Sequence, residues 1–341
     1  MCMSIRITSS FQCLHIALAL LLLYSAHVEA QDKVPEFFTF TFENDLFVGE
    51  DNGYTNGMGI TFGKGPFKEF NNENLPNWLH WLAKDLYVST MKNKQRGAAH
   101  MFFQRMQTPD DITVSELIVD DVPYAGLLAW QGTLYAWDDR VADQLSLYLG
   151  AVGPITLAEE SQTLIHDLSN ADDPKGWDNQ IENEPIFKVE LQRIWSLYRS
   201  DGKGKQFDIL GLWGAGIGNL ESATKAGLAI RWGTNLRHSF PAFSLQADRQ
   251  VNPLSLTPDD DFYLFFGVRA GVVFNDILVD GNTFRDSHSV PLENNQDQAS
   301  AGIVWSFGRN AFVFQVSSIS SNTDVISKRN EFGALSFTHR F

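Results

Sequence analysis

The chain has 341 residues, of which 44% are hydrophobic and 13% aromatic, and its formal net charge is -15. No basic stripe interrupts that acidic balance, which excludes a nucleic-acid partner. Its cysteines, Cys2 and Cys13, both precede residue 31, so a disulfide scaffold, a thiolate nucleophile and a cysteine metal site are excluded for everything after them.

The N-terminal segment reads as an export signal. Arg6 gives a sparse positive start, Ile16 to Leu23 an apolar run, and Ser25-Ala26-His27-Val28-Glu29-Ala30 a small-x-small ending. Cleavage is expected after Ala30, with residues 31–341 forming one unit. The apolar run is too short to span a bilayer as a helix, and no later run reaches that length. A β-barrel would leave that same silence, because its strands are short and alternating.

Alternation follows in chain order. Phe38, Phe40 and Phe42 share one side of a first strand, opposite Thr39, Thr41 and Glu43. Tyr54, Met58, Ile60 and Phe62 then alternate with Thr55, Gly57, Gly59 and Thr61. Leu145, Leu147 and Leu149 oppose Ser146 and Tyr148; Phe187, Val189 and Leu191 oppose Lys188, Glu190 and Gln192. Phe312, Phe314 and Val316 flank Gln315, and the chain ends on Leu335, Phe337, His339 and Phe341 opposite Ala334, Ser336, Thr338 and Arg340. One apolar face and one face of small and polar residues is what a wall between lipid and a polar lumen requires. A terminal amphipathic strand ending in phenylalanine resembles the targeting signature of outer-membrane barrels. It would be an exposed edge in a soluble protein.

Strands are predicted near 36–45, 54–64, 97–107, 125–137, 142–152, 185–198, 205–217, 223–232, 261–274, 299–307, 310–319 and 331–341. A thirteenth candidate, 241–249, follows a proline-bearing turn and is set aside as a loop or lumen segment, because a closed antiparallel barrel of this kind needs an even number. The fold class is therefore all-β: a transmembrane antiparallel barrel of 12 strands. Long loops at 65–96, 153–184 and 275–298 are expected to carry short helices. Trp78, Trp81, Trp137, Trp195, Trp213 and Trp305 are candidates for interfacial aromatic belts.

Three places hold more polar detail than a wall needs. Glu43-Asn44-Asp45 closes the first strand and Asp51-Asn52-Gly53-Tyr54-Thr55-Asn56-Gly57 opens the second. In a hairpin, Glu43, Asp45 and Thr55 would point to the lumen near one rim. Within 155–184, residues 157–168 can form a short helix on which Gln162 and His166, four apart, share a surface. Asp167, Asp172 and Asp173 follow. No GxSxG, HExxH or P-loop pattern is present. A histidine beside oxygen donors or a bound cation is nevertheless sufficient equipment for ester hydrolysis.

Several of these runs resemble the lipid A 3'-O-deacylase family of outer-membrane proteins. They are Phe42-Glu43-Asn44-Asp45, Gly53-Tyr54-Thr55-Asn56-Gly57 and Pro123-Tyr124-Ala125-Gly126. Gln162-Thr163-Leu164-Ile165-His166 and Gly176-Trp177-Asp178-Asn179-Gln180-Ile181-Glu182-Asn183 resemble the segment with that family's essential histidine. Asp280-Gly281-Asn282-Thr283-Phe284-Arg285-Asp286-Ser287-His288 is similar to broader relatives. The resemblance implies a twelve-stranded barrel that removes the 3'-linked acyloxyacyl group of lipid A in a calcium-dependent reaction. It places Asn44, Asp45, Thr55 and His166 at active-site positions and Gln162 at an accessory one. Asp172 stands where a family member has glutamate. The family's lysine after the third strand has no counterpart in Pro109-Asp110-Asp111-Ile112-Thr113-Val114.

The expected activity is thus hydrolysis of a lipid A ester, with His166 as general base and Asp45 the leading calcium ligand. The expected partners are lipopolysaccharide and other outer-membrane lipids, and the expected state is a monomer in the bacterial outer membrane. Two other readings share the scaffold: a pore or structural barrel without catalysis, and a phospholipase.

Overall fold

The period-two pattern becomes a closed wall in the computed structural model, which describes residues 36–48, 56–169, 172–202, 204–245 and 260–341. The expected signal segment and Thr55 lie outside the described residues. Twelve antiparallel strands each pair with their chain neighbours, and the first closes against the last. They are β1 (Glu36–Asn44), β2 (Asn56–Phe67), β3 (Gln95–Gln107), β4 (Ala125–Trp137), β5 (Val141–Val152) and β6 (Glu184–Arg199). They continue as β7 (Gln206–Gly218), β8 (Glu221–Gly233), β9 (Asp261–Asp276), β10 (Asn295–Phe307), β11 (Asn310–Ile319) and β12 (Asn330–Arg340). The expected count of twelve holds, and the segment set aside at 241–249 is no strand over its described part.

Register follows the alternation. Thr39 sits between Thr338 of β12 and Thr61 of β2, while Phe40 sits between Phe337 and Ile60. The threonines are buried in the lumen, where Thr39 Oγ1 meets Thr338 Oγ1 at 2.8 Å and Thr41 Oγ1 meets Ser336 Oγ at 2.9 Å. The opposite face leaves Ile60, Phe62, Phe102, Leu149, Phe187, Ile217, Phe266 and Trp305 exposed around the outside. A ring of that breadth has to meet lipid. No described helix is long and apolar enough to cross a membrane.

The start of β1 and the end of β12 lie at one rim, since Phe37 pairs with Arg340. Three of the five connections at that rim are short (138–140, 200–205 and 308–309) and two are long (68–94 and 234–260), whereas five of the six at the opposite rim are long, among them 108–124, 153–183 and 277–294, and one, 219–220, is short. Short turns face the periplasm and longer loops the exterior in such barrels.

The lumen is packed from both ends. From the outer rim, Ile181, Ile277 and Leu278 join Met101, Phe103, Tyr148 and Ile186. From the periplasmic rim, Phe240, Phe243 and Leu245 join Ile194, Leu210, Tyr263 and Phe265. Gln298 and Gln315 donate to the Leu245 carbonyl at 2.6 and 3.1 Å, which seats this inserted segment. Beneath it Arg231, 1% exposed, makes a bidentate pair with the buried Asp208 (3.0 and 2.6 Å). Trp137 packs against this inner cluster instead of joining an aromatic belt: on β4 it shares the lumenal face of Thr133 and Tyr135. A polar pocket remains midway, lined in part by Glu190, Gln192, Lys225 and Arg269.

Among the described residues, five short helices occupy the connections: α1 (Asn77–Ala83), α2 (Tyr87–Thr90), α3 (Ala158–Ser169), α4 (Leu236–Ser239) and α5 (Ile277–Asp280).

A candidate active site between the outer wall and helix α3

Helix α3 has one buried stripe, Ala158, Gln162 and His166, spaced four apart so that all three fall on one face. Glu159 and Glu160 occupy its first turn, where the helix dipole favours negative charge. The stripe does not enter the lumen. On β3 the lipid side carries Phe102, Gln104 and Met106, and on β4 it carries Gly126 and Leu128. The helix lies over this surface. Gln104 Nε2 donates to the Thr156 carbonyl at 2.7 Å, just ahead of the helix. A Cβ on Gly126 would stand 2.1 Å from Thr156 Oγ1 and 2.5 Å from Ala158 Cβ. Only glycine allows the helix so near the wall.

The cleft floor is an external core of Met106, Tyr124, Ala158 and Trp177. Tyr124 and Trp177 rings meet at 5.0 Å, and Trp177 Nε1 donates to Gln162 Oε1 at 2.8 Å. This bond satisfies the indole N–H, which is buried with the rest of Trp177, and fixes the Gln162 amide orientation. Gln162 Nε2 is buried with no hydrogen-bond partner among the described residues. It is a donor inside the cleft beside the histidine's turn of the helix.

His166 is held by backbone. Its Nδ1 lies 2.5 Å from the carbonyl oxygen of Asp172. A carbonyl only accepts, so Nδ1 carries the proton, and the neutral ring keeps its basic lone pair at Nε2. The Asp172 side chain is itself exposed. The atom of Asp172 that meets the ring is its main-chain carbonyl oxygen.

Asn44 closes β1 in the same alternation as Phe38, Phe40 and Phe42, which puts it on the outer side. There it is 4% exposed. Register carries the row onward: Glu43 pairs with Gly57, Asn56 with Met106, and Met106 with Gly126 beneath the helix. Two strand spacings, about 10 Å, separate β1 from β3. Asn44 and the His166 helix thus share one external strip of wall. Asp45 begins a 3-10 turn, Asp45–Val48, and is buried. The strand ends one residue before it, so the alternation that would aim Asp45 at the lumen does not reach it. Phe47 of that turn folds onto the outside, edge-on to Phe42 (5.9 Å) and Phe314 (6.0 Å). A lumenal rim was expected for the site; the strip around Asn44, Gln162 and His166 is on the lipid side.

Among the described residues no three carboxylate, imidazole or thiolate groups converge as a metal cage. Asn44 and Asp45 nevertheless bring an amide oxygen and a carboxylate together in sequence and in burial. Such hard oxygen donors fit a calcium ion better than a softer metal.

The remaining motif, Asp280 to His288, is a fastening between rim loops. Glu184 accepts from the backbone N–H groups of Thr283 (3.2 Å) and Phe284 (3.1 Å). Asn282 exchanges two 2.8 Å bonds with the Glu182 backbone. Asp121, on the neighbouring loop, accepts from the N–H groups of Asp110 and Val122; burial still pushes its carboxyl above the ordinary range.

A family model described as "Outer membrane protein LpxR" matches residues 14–341. The solved structure of LpxR from Salmonella typhimurium superposes with a TM-score of 0.74 at 15% identity, over 89% of this chain and 99% of that one. The β domain of the Bordetella autotransporter BrkA aligns with 91% of this chain and all of its own at 9% identity, with a TM-score of 0.40. No curated protein sequence matches the chain. The external cleft, the twelve-stranded wall and the full-length family match lead to one assignment: the chain belongs to the LpxR family of outer-membrane proteins, the lipid A deacylase family that its motifs resemble.

Proposed function

We propose that this protein hydrolyses the 3'-linked acyloxyacyl ester of lipid A in a calcium-dependent reaction, with His166 as general base. The observation that carries the reading is the placement of a tautomer-fixed histidine in a cleft on the lipid-facing side of the wall near the outer rim. A lipid in the outer leaflet reaches such a cleft sideways, without leaving the membrane. A water-soluble substrate would be better served by the lumen.

In this mechanism Nε2 of His166 takes a proton from water as the oxygen attacks the ester carbonyl. The imidazolium returns that proton to the departing sugar oxygen. The products are the free acyloxyacyl acid and a 3'-hydroxyl. The Asp172 carbonyl holds the ring throughout by accepting its Nδ1–H bond. Asn44 and Gln162 Nε2 supply amide N–H groups toward the reacting carbonyl. A calcium ion held by Asn44 and Asp45 would add positive charge beside that carbonyl, with Thr55 a further oxygen donor. Exposed Leu157 and Leu164 on the outer side of the helix offer apolar contact to acyl chains.

The packed lumen weighs against the pore reading. A phospholipase shares the histidine chemistry and is separated by its substrate. Purified protein is given lipid A and a diacyl glycerophospholipid together, with calcium or with EDTA, and both lipids are followed by mass spectrometry. Loss of one acyloxyacyl unit from lipid A, dependent on calcium, is expected. Deacylation confined to the glycerophospholipid would transfer the chemistry to a different substrate.

A further inference from the structure

The loops around the cleft carry charge that the chemistry above does not use. Segments 108–124 and 153–183 hold twelve carboxylates and one basic side chain, Lys175. All of the twelve except Asp121 are exposed, and so is Lys175. The loop at 277–294 is net acidic as well, with Arg285 its one base. The first two segments are joined beside the histidine. Lys175 donates its backbone N–H to the Ile112 carbonyl at 2.8 Å, and Asn179 Nδ2 donates to the Ser115 carbonyl at 2.8 Å. Four of the exposed acids stand at the site itself. Asp167 follows His166, Asp172 supplies the carbonyl that holds the ring, Asp173 comes next, and Asp178 follows Trp177.

The wall beneath does not offset them. Under α3 its outer face presents Gln104, Met106, Gly126 and Leu128, none of them basic. Basic residues of the neighbouring strands are turned inward: Arg105 shares the lumenal face of Phe103, and Lys188 and Lys225 both donate to Glu221, at 2.9 and 3.1 Å. Like charges already crowd the start of the helix, where burial and the carboxylates of Glu160 and Asp178 push the Glu159 carboxyl above its ordinary range. The cleft does offer Gln162 Nε2, a buried donor with no hydrogen-bond partner among the described residues. A neutral amide suits an ester carbonyl or a hydroxyl, and it brings no charge to hold a phosphate.

Lipid A is anionic at the wrong place for such a site. The ring carbon beside the 3' ester bears the 4' phosphate, so a bound ester carries that phosphate against the acids. A carboxylate about 10 Å from a unit charge in water disfavours it about twofold. Four together do so about tenfold, and screening in about 0.1 M salt leaves about threefold. We propose, resting on the reading that this chain deacylates lipid A, that its preferred substrate is lipid A neutralised at position 4', where the phosphate has been removed or is capped by an amine-bearing group. A phosphatase or an amine-group transferase then acts on the lipid before this protein does. A capped phosphate gains further, because its ammonium meets the carboxylates that repel the free one.

The test gives the native chain, in neutral detergent at saturating calcium, three lipid A forms that differ only at 4': free phosphate, hydroxyl and phosphoethanolamine. At low ionic strength kcat/KM for the hydroxyl form is expected to exceed that for the free phosphate by about tenfold, falling to about threefold in about 0.1 M salt. Asp167→Asn with Asp173→Asn and Asp178→Asn should reduce the tenfold preference to about twofold. Phosphoethanolamine ahead of hydroxyl assigns the preceding step to a transferase, and the reverse order assigns it to a phosphatase. Equal or faster cleavage of the free-phosphate form at low ionic strength would overturn the proposal, as would a preference that the triple variant keeps in full. A free-phosphate preference that grows with added magnesium would also overturn it, by making the acids a bridge instead of a barrier. Binding of the three lipids to His166→Ala separates this inference from the reading beneath it. A native chain that cleaves none of them, with a variant that binds them in the expected order, loses the deacylase reading and keeps the selection at 4'. No cleavage together with equal binding removes both.

Discussion

Replacing Gly126 by alanine tests whether the distance between α3 and the wall sets the reaction. The added Cβ would lie 2.1 Å from Thr156 Oγ1 and 2.5 Å from Ala158 Cβ. The hydroxyl can rotate away. Ala158 Cβ is fixed to the helix backbone, so the helix must retreat by about 0.9 Å to restore an ordinary 3.4 Å contact. Overpacking of this kind costs about 1–3 kcal/mol, here confined to the docking of one helix. A displacement near 1 Å in a catalytic group can lower the rate by about 100-fold. Gly126→Ala should therefore lose about two orders of magnitude in lipid A deacylation while the barrel keeps its heat-modifiable migration. Gly214→Ala, whose nearest atom would be 3.3 Å away, is the matched control and should retain activity. Near-normal rates in folded Gly126→Ala would refute the reasoning, because the histidine would then be insensitive to the helix that carries it.

Asp172→Ala keeps the carbonyl that orients His166 and should cost no more than a few-fold in activity; a loss as large as that of a histidine variant would restore the role to the carboxylate. Gln162→Leu strips the acceptor from the buried Trp177 N–H, a penalty of about 1–3 kcal/mol, and proteolysis of the 153–183 loop should accelerate. Pairing it with Trp177→Phe should recover much of that resistance. Arg231→Leu leaves the buried Asp208 with Arg199, 3.7 Å away, in place of its bidentate partner, which costs up to about 3–5 kcal/mol, so the temperature at which the barrel unfolds on a gel should fall. EDTA should remove hydrolysis and calcium restore it, and Asp45→Asn should raise the calcium required for half-activity; an unchanged calcium requirement in the folded variant would remove Asp45 from the cation site.

The wall was legible because lipid and lumen impose period two on every strand. Phe38, Phe40 and Phe42 opposite Thr39 and Thr41 need no tertiary information to be sorted into two faces. The same rule has no hold where a strand ends. It aims Asp45 at the lumen, although the strand stops at Asn44 and the chain turns outward over Phe47. Trp137 shows the converse, since a tryptophan near a strand end suggests a belt by composition while its parity puts it inside. The spacing of Gln162 and His166 identified the helix face correctly. The surface under that face was hidden, because contact with the outside of β3 and β4 depends on Gly126 and Gln104, far away in sequence. The carbonyl partner of His166 was illegible for a simpler reason: every residue has a carbonyl, and only the chain's path brings that of Asp172 to the ring.

The central claim is that His166, in a cleft on the lipid side of the wall, removes the 3' acyloxyacyl chain of lipid A. The most direct measurement is the lipid A mass spectrum of cells with intact lipid A that express either the native chain or His166→Ala, with both proteins shown to be folded in the outer membrane. The account predicts lipid A lighter by one acyloxyacyl unit with the native chain and unchanged lipid A with the variant. The same mass loss from both, or from neither, would contradict it.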